Sequence, residues 1–202
     1  YLIFVPDNAK TLQVYDTESK KVSSYIICDN EKIRRRCISA IIFHEKLWLF
    51  FAYSEHPTII FDLETFDKEE FWGISEVLPP DILERKKAPV FWTPLRSSGK
   101  KVYGVIWNAG YIVEVDVTNR NVNIFTVQDK MNKLTALACN GDDLWLLEAR
   151  NKTVMKWSIE KGIQARYTVA PEYLQTQSNQ GNILIAGNKT IVLFDDCDYV
   201  FY

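Results

Sequence analysis

Glycine is scarce in this chain, with eight in 202 residues. That excludes collagen-like and Gly-rich low-complexity sequences, and no Gly-rich phosphate loop is present. Histidine is scarcer still, with only His44 and His56. They fall in turns at opposite ends of one repeat unit, so no two-His metal site is expected. Nothing marks the nucleophile elbow of a Ser-His-Asp enzyme, and no cofactor motif is found. The four cysteines, Cys28, Cys37, Cys139 and Cys197, contain no C-x-x-C pair. Their spacing marks no disulfide framework, so they read as reduced thiols, which favours the cytoplasm over export. Cys139, in an apolar strand, reads as a small core residue.

No apolar run approaches the roughly eighteen residues of a membrane span, and no signal peptide is visible, although the chain opens on Tyr1 rather than Met. A net charge of −2 gives no push toward nucleic acid or an anionic membrane. Helix signals are nearly absent. The best is a short stretch from Asp81 through Lys87, after Pro79-Pro80.

What is present is a repeat. Apolar stretches recur at Leu2–Val5, Leu47–Phe50, Val102–Val105, Leu144–Leu147 and Ile183–Ala186. Each is followed by a second stretch, ending at Tyr15-Asp16, Phe61-Asp62, Val115-Asp116, Trp157-Ser158 and Phe194-Asp195. The steps between those ends are 46, 54, 42 and 37 residues. A strand-rich unit at this period predicts an all-β chain, a β-propeller of four-stranded antiparallel blades with about five visible. The whole chain, 1–202, reads as one domain, with blades approximately at 1–29, 37–74, 88–128, 134–170 and 173–202. Within the third blade, Val90–Leu95 is expected as the first strand. In the second, Glu69–Ile74 is expected as the last. In the fifth, Tyr173–Ser178 is expected first and Ile183–Ala186 second. The tally of eighteen or nineteen strands falls short of the twenty of five closed blades, which fits a portion of a larger ring.

The segment Tyr1–Val5 followed by Thr11–Val22, with its strand, polar turn, strand ending in Asp and Thr-rich turn, resembles the repeats of surface-layer and lactonase-type propellers. Phe61-Asp62-Leu63-Glu64-Thr65 followed by Phe71-Trp72 resembles part of a kelch blade. The kelch double glycine is missing in every unit, as are the Gly-His and Trp-Asp signatures of the commonest intracellular propellers. The resemblance therefore implies architecture only.

In such blades the loop between second and third strands shares a face with the inter-blade crossover, because successive strands alternate in direction. On that face lie the crossovers 29–36, 75–88, 128–133 and 170–175, and the hairpin loops 6–10, 54–57, 108–110, 148–152 and 187–189. They carry two basic clusters, Arg34-Arg35-Arg36 and Arg85-Lys86-Lys87, with Arg150, Lys152, Lys130 and Lys133 as further members. Arg34, Arg35, Arg36, Arg85, Lys87 and Arg150 are the candidate binding residues, because guanidinium groups take carboxylate or phosphate bidentately. The same charges also read as a solvated loop offset by Asp29, Glu31, Asp81 and Glu84. Trp92 and Trp107 read first as packing residues between blades, with stacking on a sugar as the alternative. Asn151-Lys152-Thr153 and Asn188-Lys189-Thr190 match glycosylation sequons in what read as equivalent turns. The expected function is a non-catalytic binding or scaffold module, taking a protein or carbohydrate ligand that carries negative charge. The alternative is a propeller hydrolase, lactonase or lyase with channel carboxylates and a divalent metal.

Overall fold

The apolar runs at Leu47–Phe50 and Val102–Val105 form strands buried on both faces in a computed structural model of the protein. It describes residues 1–5, 7, 10–27, 36–85, 88–127, 133–169, 180–194 and 200–201, the last two by backbone alone. The chain divides into two compact units, Tyr1–Val90 and Phe91–Tyr202.

The first unit holds two antiparallel sheets. β1 (Leu2–Phe4), β2 (Thr11–Tyr15) and β3 (Val22–Ile26) form one, and β4 (Cys37–Phe43), β5 (Lys46–Phe51), β6 (Thr58–Asp62) and β7 (Lys68–Phe71) form the other, each in sequence order. Leu12 and Val14 of the first sheet pack with Leu47, Leu49, Phe51, Ile59 and Phe61 of the second. Trp48 and Phe50 alternate with these on β5 and are buried on its other face. Burying each such side chain contributes about 1.5–3 kcal/mol. β7 ends at Phe71, short of the expected Ile74. The chain turns at Trp72 into α1 (Gly73–Val77), which carries Ile74 inward, and the Ser75 hydroxyl donates to the Ser54 carbonyl at 2.8 Å. α2 (Pro80–Leu83) follows, with proline at its first position, where no N–H is needed. It overlaps the start of the short turn expected from Asp81 through Lys87.

The second unit holds three sheets. β8 (Arg96–Ser98), β9 (Lys101–Val105), β10 (Tyr111–Asp116) and β11 (Asn121–Thr126) form the first. β12 (Ala136–Asn140), β13 (Asp143–Glu148), β14 (Thr153–Ser158) and β15 (Gly162–Thr168) form the second, and β16 (Gly181–Ala186), β17 (Lys189–Phe194) and β18 (Val200–Phe201) the third. β8 replaces the expected strand at Val90–Leu95. Pro89 and Pro94 lack the N–H a ladder needs, and Val90, Phe91 and Leu95 are instead buried as irregular chain. Gly104 makes room for them, because a Cβ there would stand 2.9 Å from both Phe91 and Leu95. The apolar faces of β9, β10, β12, β13 and β14 make one core around Leu134, Leu137 and Leu146, and a second core joins β12, β13 and β14 to Ile183, Val192 and Phe194.

Turn geometry registers the sheets. Phe43 faces Lys46, Ser98 faces Lys101, Asn140 faces Asp143 and Ala186 faces Lys189, so four hairpins have two-residue turns. Three of these join the first and second strands of complete sheets. The fourth, with Gly187 at φ 63 where Gly141 stands at φ 61, makes β16 a first strand and β17 a second. β12 also lies beside both β8 and β16. Among the described residues β16 thus stands first in its sheet, where the second place was expected. Tyr173–Ser178 lies outside the described residues. The two sequons are consequently not equivalent: Asn188 is in a first hairpin and Asn151 in a second.

The turns after β2, β6 and β10 share a different device. Oδ1 of Asp16, Asp62 and Asp116 accepts from the N–H groups two and three residues on, at 2.9 and 3.3, 2.9 and 3.1, and 2.9 and 3.1 Å. Lys20, Phe66 and Arg120 then close each turn at positive φ. Aspartate suits this position because its short side chain reaches its own turn.

Candidate functional site

Thr135 anchors the entry to β12. Its hydroxyl donates to the Leu147 carbonyl at 3.0 Å and accepts from the Ala149 N–H at 3.3 Å, while its own carbonyl accepts from the Thr93 hydroxyl at 2.8 Å. Next to it, Leu134 and Ala109 form an isolated antiparallel bridge. These bonds draw together the β9–β10 loop, the β13–β14 loop and the start of β12. The β13–β14 loop is a short 3-10 turn, Ala149–Asn151, closed by Lys152 in the left-handed region at φ 53. Asn151 donates to the buried Glu148 carboxylate at 2.8 Å, and the Lys152 ammonium lies 4.4 Å from the centre of the Phe194 ring. With both neighbours held, Arg150 projects between them and is exposed.

At this end of the sheets lies a cavity of about 250 Å³, lined by Trp107, Asn108, Lys133, Thr135, Arg150 and Gln180. Among the described residues of its wall, two are cations and none is a carboxylate. Trp107 stacks on Trp92 at 5.2 Å between ring centroids, with the planes 27° apart, and both indoles are half-buried. Trp107 thus packs on Trp92, a packing use like the one expected first, and also lines the cavity.

Of the expected binding residues, Arg150 is brought together with Lys133 at this cavity. Arg36 instead faces Asp7, Nε to Oδ1 at 3.7 Å, at the entry to β4, where the Cys37 N–H donates to the Asp7 carbonyl. Arg85 follows α2, its N–H donating to the Ile82 carbonyl. Arg34, Arg35 and Lys87 lie outside the described residues, as do Lys86 and Lys130. Gln180 and Thr135 carried no signal of their own in the sequence. Gln180 precedes β16, so the misplaced strand order hid it. The loop 187–189 joins β16 to β17, at the other end of β16 from Gln180, and so leaves the expected loop face.

The described nucleophiles and acids have other uses. Burial pushes the Cys37 and Cys139 thiols up to about 11, so both stay protonated at neutral pH. Cys139 packs against the core, as expected for a small apolar residue. Glu114, 2 % exposed, accepts from Lys101 at 2.9 Å and from Asn123 at 3.1 Å. His44 is exposed in its hairpin and His56 is buried against Phe51. Among the described residues, no group of three His, Cys, Asp or Glu is placed to hold a metal ion, and no helix is long and apolar enough to cross a membrane.

Solved structures supply the frame for this geometry. The chain superposes on virginiamycin B lyase from Staphylococcus aureus with a TM-score of 0.65 at 12% identity, over 98% of this chain and 64% of that one. It superposes on a streptogramin B lyase with a TM-score of 0.58 at 13% identity, over 81% and 49%. Sqt1 from Saccharomyces cerevisiae gives a TM-score of 0.54 at 8% identity, over 90% and 50%. The fold is a β-propeller. The sequence matches no family model and no curated protein. The chain thus spans about two thirds or less of the lyases it resembles in fold, and these identities carry fold and not activity.

Proposed function

We propose that this propeller is a non-catalytic binding module that takes an anionic ligand on the loop face of its second unit. The observation that carries this reading is the pairing of Lys133 and Arg150 on the wall of one cavity. A guanidinium and an ammonium brought together favour an incoming carboxylate or phosphate, and a partly enclosed site strengthens that attraction. The described lining residues are cations, amides, a hydroxyl and an indole, groups suited to holding an anion, which supports binding over the lyase or hydrolase alternative. Both protein and carbohydrate ligands can carry the required charge.

The test is retention of the protein on immobilised polyglutamate, polygalacturonate and neutral dextran at physiological salt. At least one anionic matrix is expected to retain the wild type, and Lys133→Ala/Arg150→Ala is expected to elute roughly tenfold sooner in retained volume. Retention on dextran alone, or equal retention of the double variant, rejects the reading.

A further inference from the structure

We infer that the ligand of this cavity is an acidic sugar, a uronate ring of an oligosaccharide. This inference rests on the anionic-ligand reading above. Three features of the wall narrow the chemistry. The first is the Trp107 indole, which lines the cavity while stacking on Trp92. Stacking on the second indole restrains the ring, and an indole suits the C–H face of a pyranose ring. The second is the pair of side-chain amides, Asn108 and Gln180. Each offers donors and an acceptor, matching vicinal hydroxyls that both give and accept hydrogen bonds. The third is Arg150 with Lys133, which supplies the counter-charge for a ring carboxylate.

Size points the same way. At about 250 Å³ the cavity is smaller than the roughly 300–1,000 Å³ of sites for drug-sized ligands, so it admits a small ring and not a folded element. An acidic peptide would satisfy the two cations through one side chain. It would make no use of the indole face. A neutral sugar would satisfy the indole and amides but leave the cations unused. A uronate uses all three features.

The experiment titrates tetragalacturonate, maltotetraose and hexaglutamate into the protein, following heat and tryptophan fluorescence. Tetragalacturonate is expected to bind at least about tenfold more tightly than either of the others, with a change in indole emission. Arg150→Lys keeps the charge but not the bidentate fork, and is expected to weaken it severalfold. Trp107→Ala is expected to weaken it roughly tenfold, with Trp92→Phe showing a smaller loss, provided circular dichroism confirms the fold of each. Hexaglutamate binding as tightly as the uronate overturns the sugar assignment and leaves the anionic cleft standing. Equal binding of maltotetraose overturns the need for the acid. No binding by either anion removes the assignment and the reading beneath it.

Discussion

The indole of Trp107 lies 5.2 Å from that of Trp92, nearly parallel to it, at the edge of a cavity rather than inside a core. Trp92 comes from the irregular entry to β8 and Trp107 from the loop after β9. The contact therefore ties a crossover to a hairpin loop, and it is expected to contribute about 0.5–1.5 kcal/mol beyond area burial. A double-mutant cycle with Trp92→Ala and Trp107→Ala in urea should recover a coupling of that size. The circular dichroism of stacked indoles should also vanish in either single variant. Additive single effects would show that the rings touch without supporting each other.

Gly104 is a position where the lack of a side chain decides packing. Phe91 and Leu95 occupy the space a Cβ would need, 2.9 Å from each. Gly104→Val should destabilise the second unit by about 1–3 kcal/mol through overpacking. Trimming the obstruction in Gly104→Val/Phe91→Leu should return part of that loss. If the double variant melts below the single one, the steric account is wrong.

Proline explains why the strand expected beside this glycine does not form. Val90–Leu95 is apolar and of strand length, so its pattern suits a buried strand, yet Pro94 denies the ladder a donor and β8 forms only at Arg96. Apolarity reported burial correctly and secondary structure wrongly. The same limit applied to β16 and β17. Hydrophobic alternation locates strands but does not number them, and the two-residue turn at Gly187-Asn188 is what numbers this pair. The repeat and the sheets were legible because aspartate turns and apolar runs are local signals. Arg150 and Lys133 were legible as loop-face cations. Their meeting with Gln180 was not, because it depends on which strand follows residue 180.

Asp16, Asp62 and Asp116 set an acid limit on stability. The Ser19 hydroxyl with the Glu18 N–H, the Thr65 and Glu64 N–H groups, and the Asn119 and Thr118 N–H groups hold the three carboxyls below the usual carboxylate value of 3.8. The unfolded chain, lacking these donors, binds protons first as pH falls. The stabilisation is therefore complete above the unfolded value and is lost as pH drops through the folded values. The melting temperature should fall between about pH 5 and pH 2, and Asp16→Asn/Asp62→Asn/Asp116→Asn should flatten that fall while melting lower at pH 7. An unchanged acid slope in the triple variant would assign the loss to other groups.

Glu114 poses the opposite problem, a carboxylate inside the sheet of β8 to β11. Its oxygens are occupied by Lys101 at 2.9 Å and Asn123 at 3.1 Å. Burial first, and the nearby Glu114 carboxylate next, push the pKa of the Tyr103 hydroxyl up. Lys101 is 42% exposed while Glu114 is 3% exposed, so the cation keeps much of its hydration and the anion does not. Removing the cation therefore costs more than the pair itself contributes. Lys101→Met should destabilise by about 1–3 kcal/mol, the penalty of a buried group left short of a partner. Adding Glu114→Gln should recover part of this, because a neutral amide still accepts from Asn123 and needs no counter-charge. The urea midpoints should thus rank wild type first, the double variant second and Lys101→Met last. A double variant less stable than Lys101→Met would mean that Glu114 is held by its remaining partners alone.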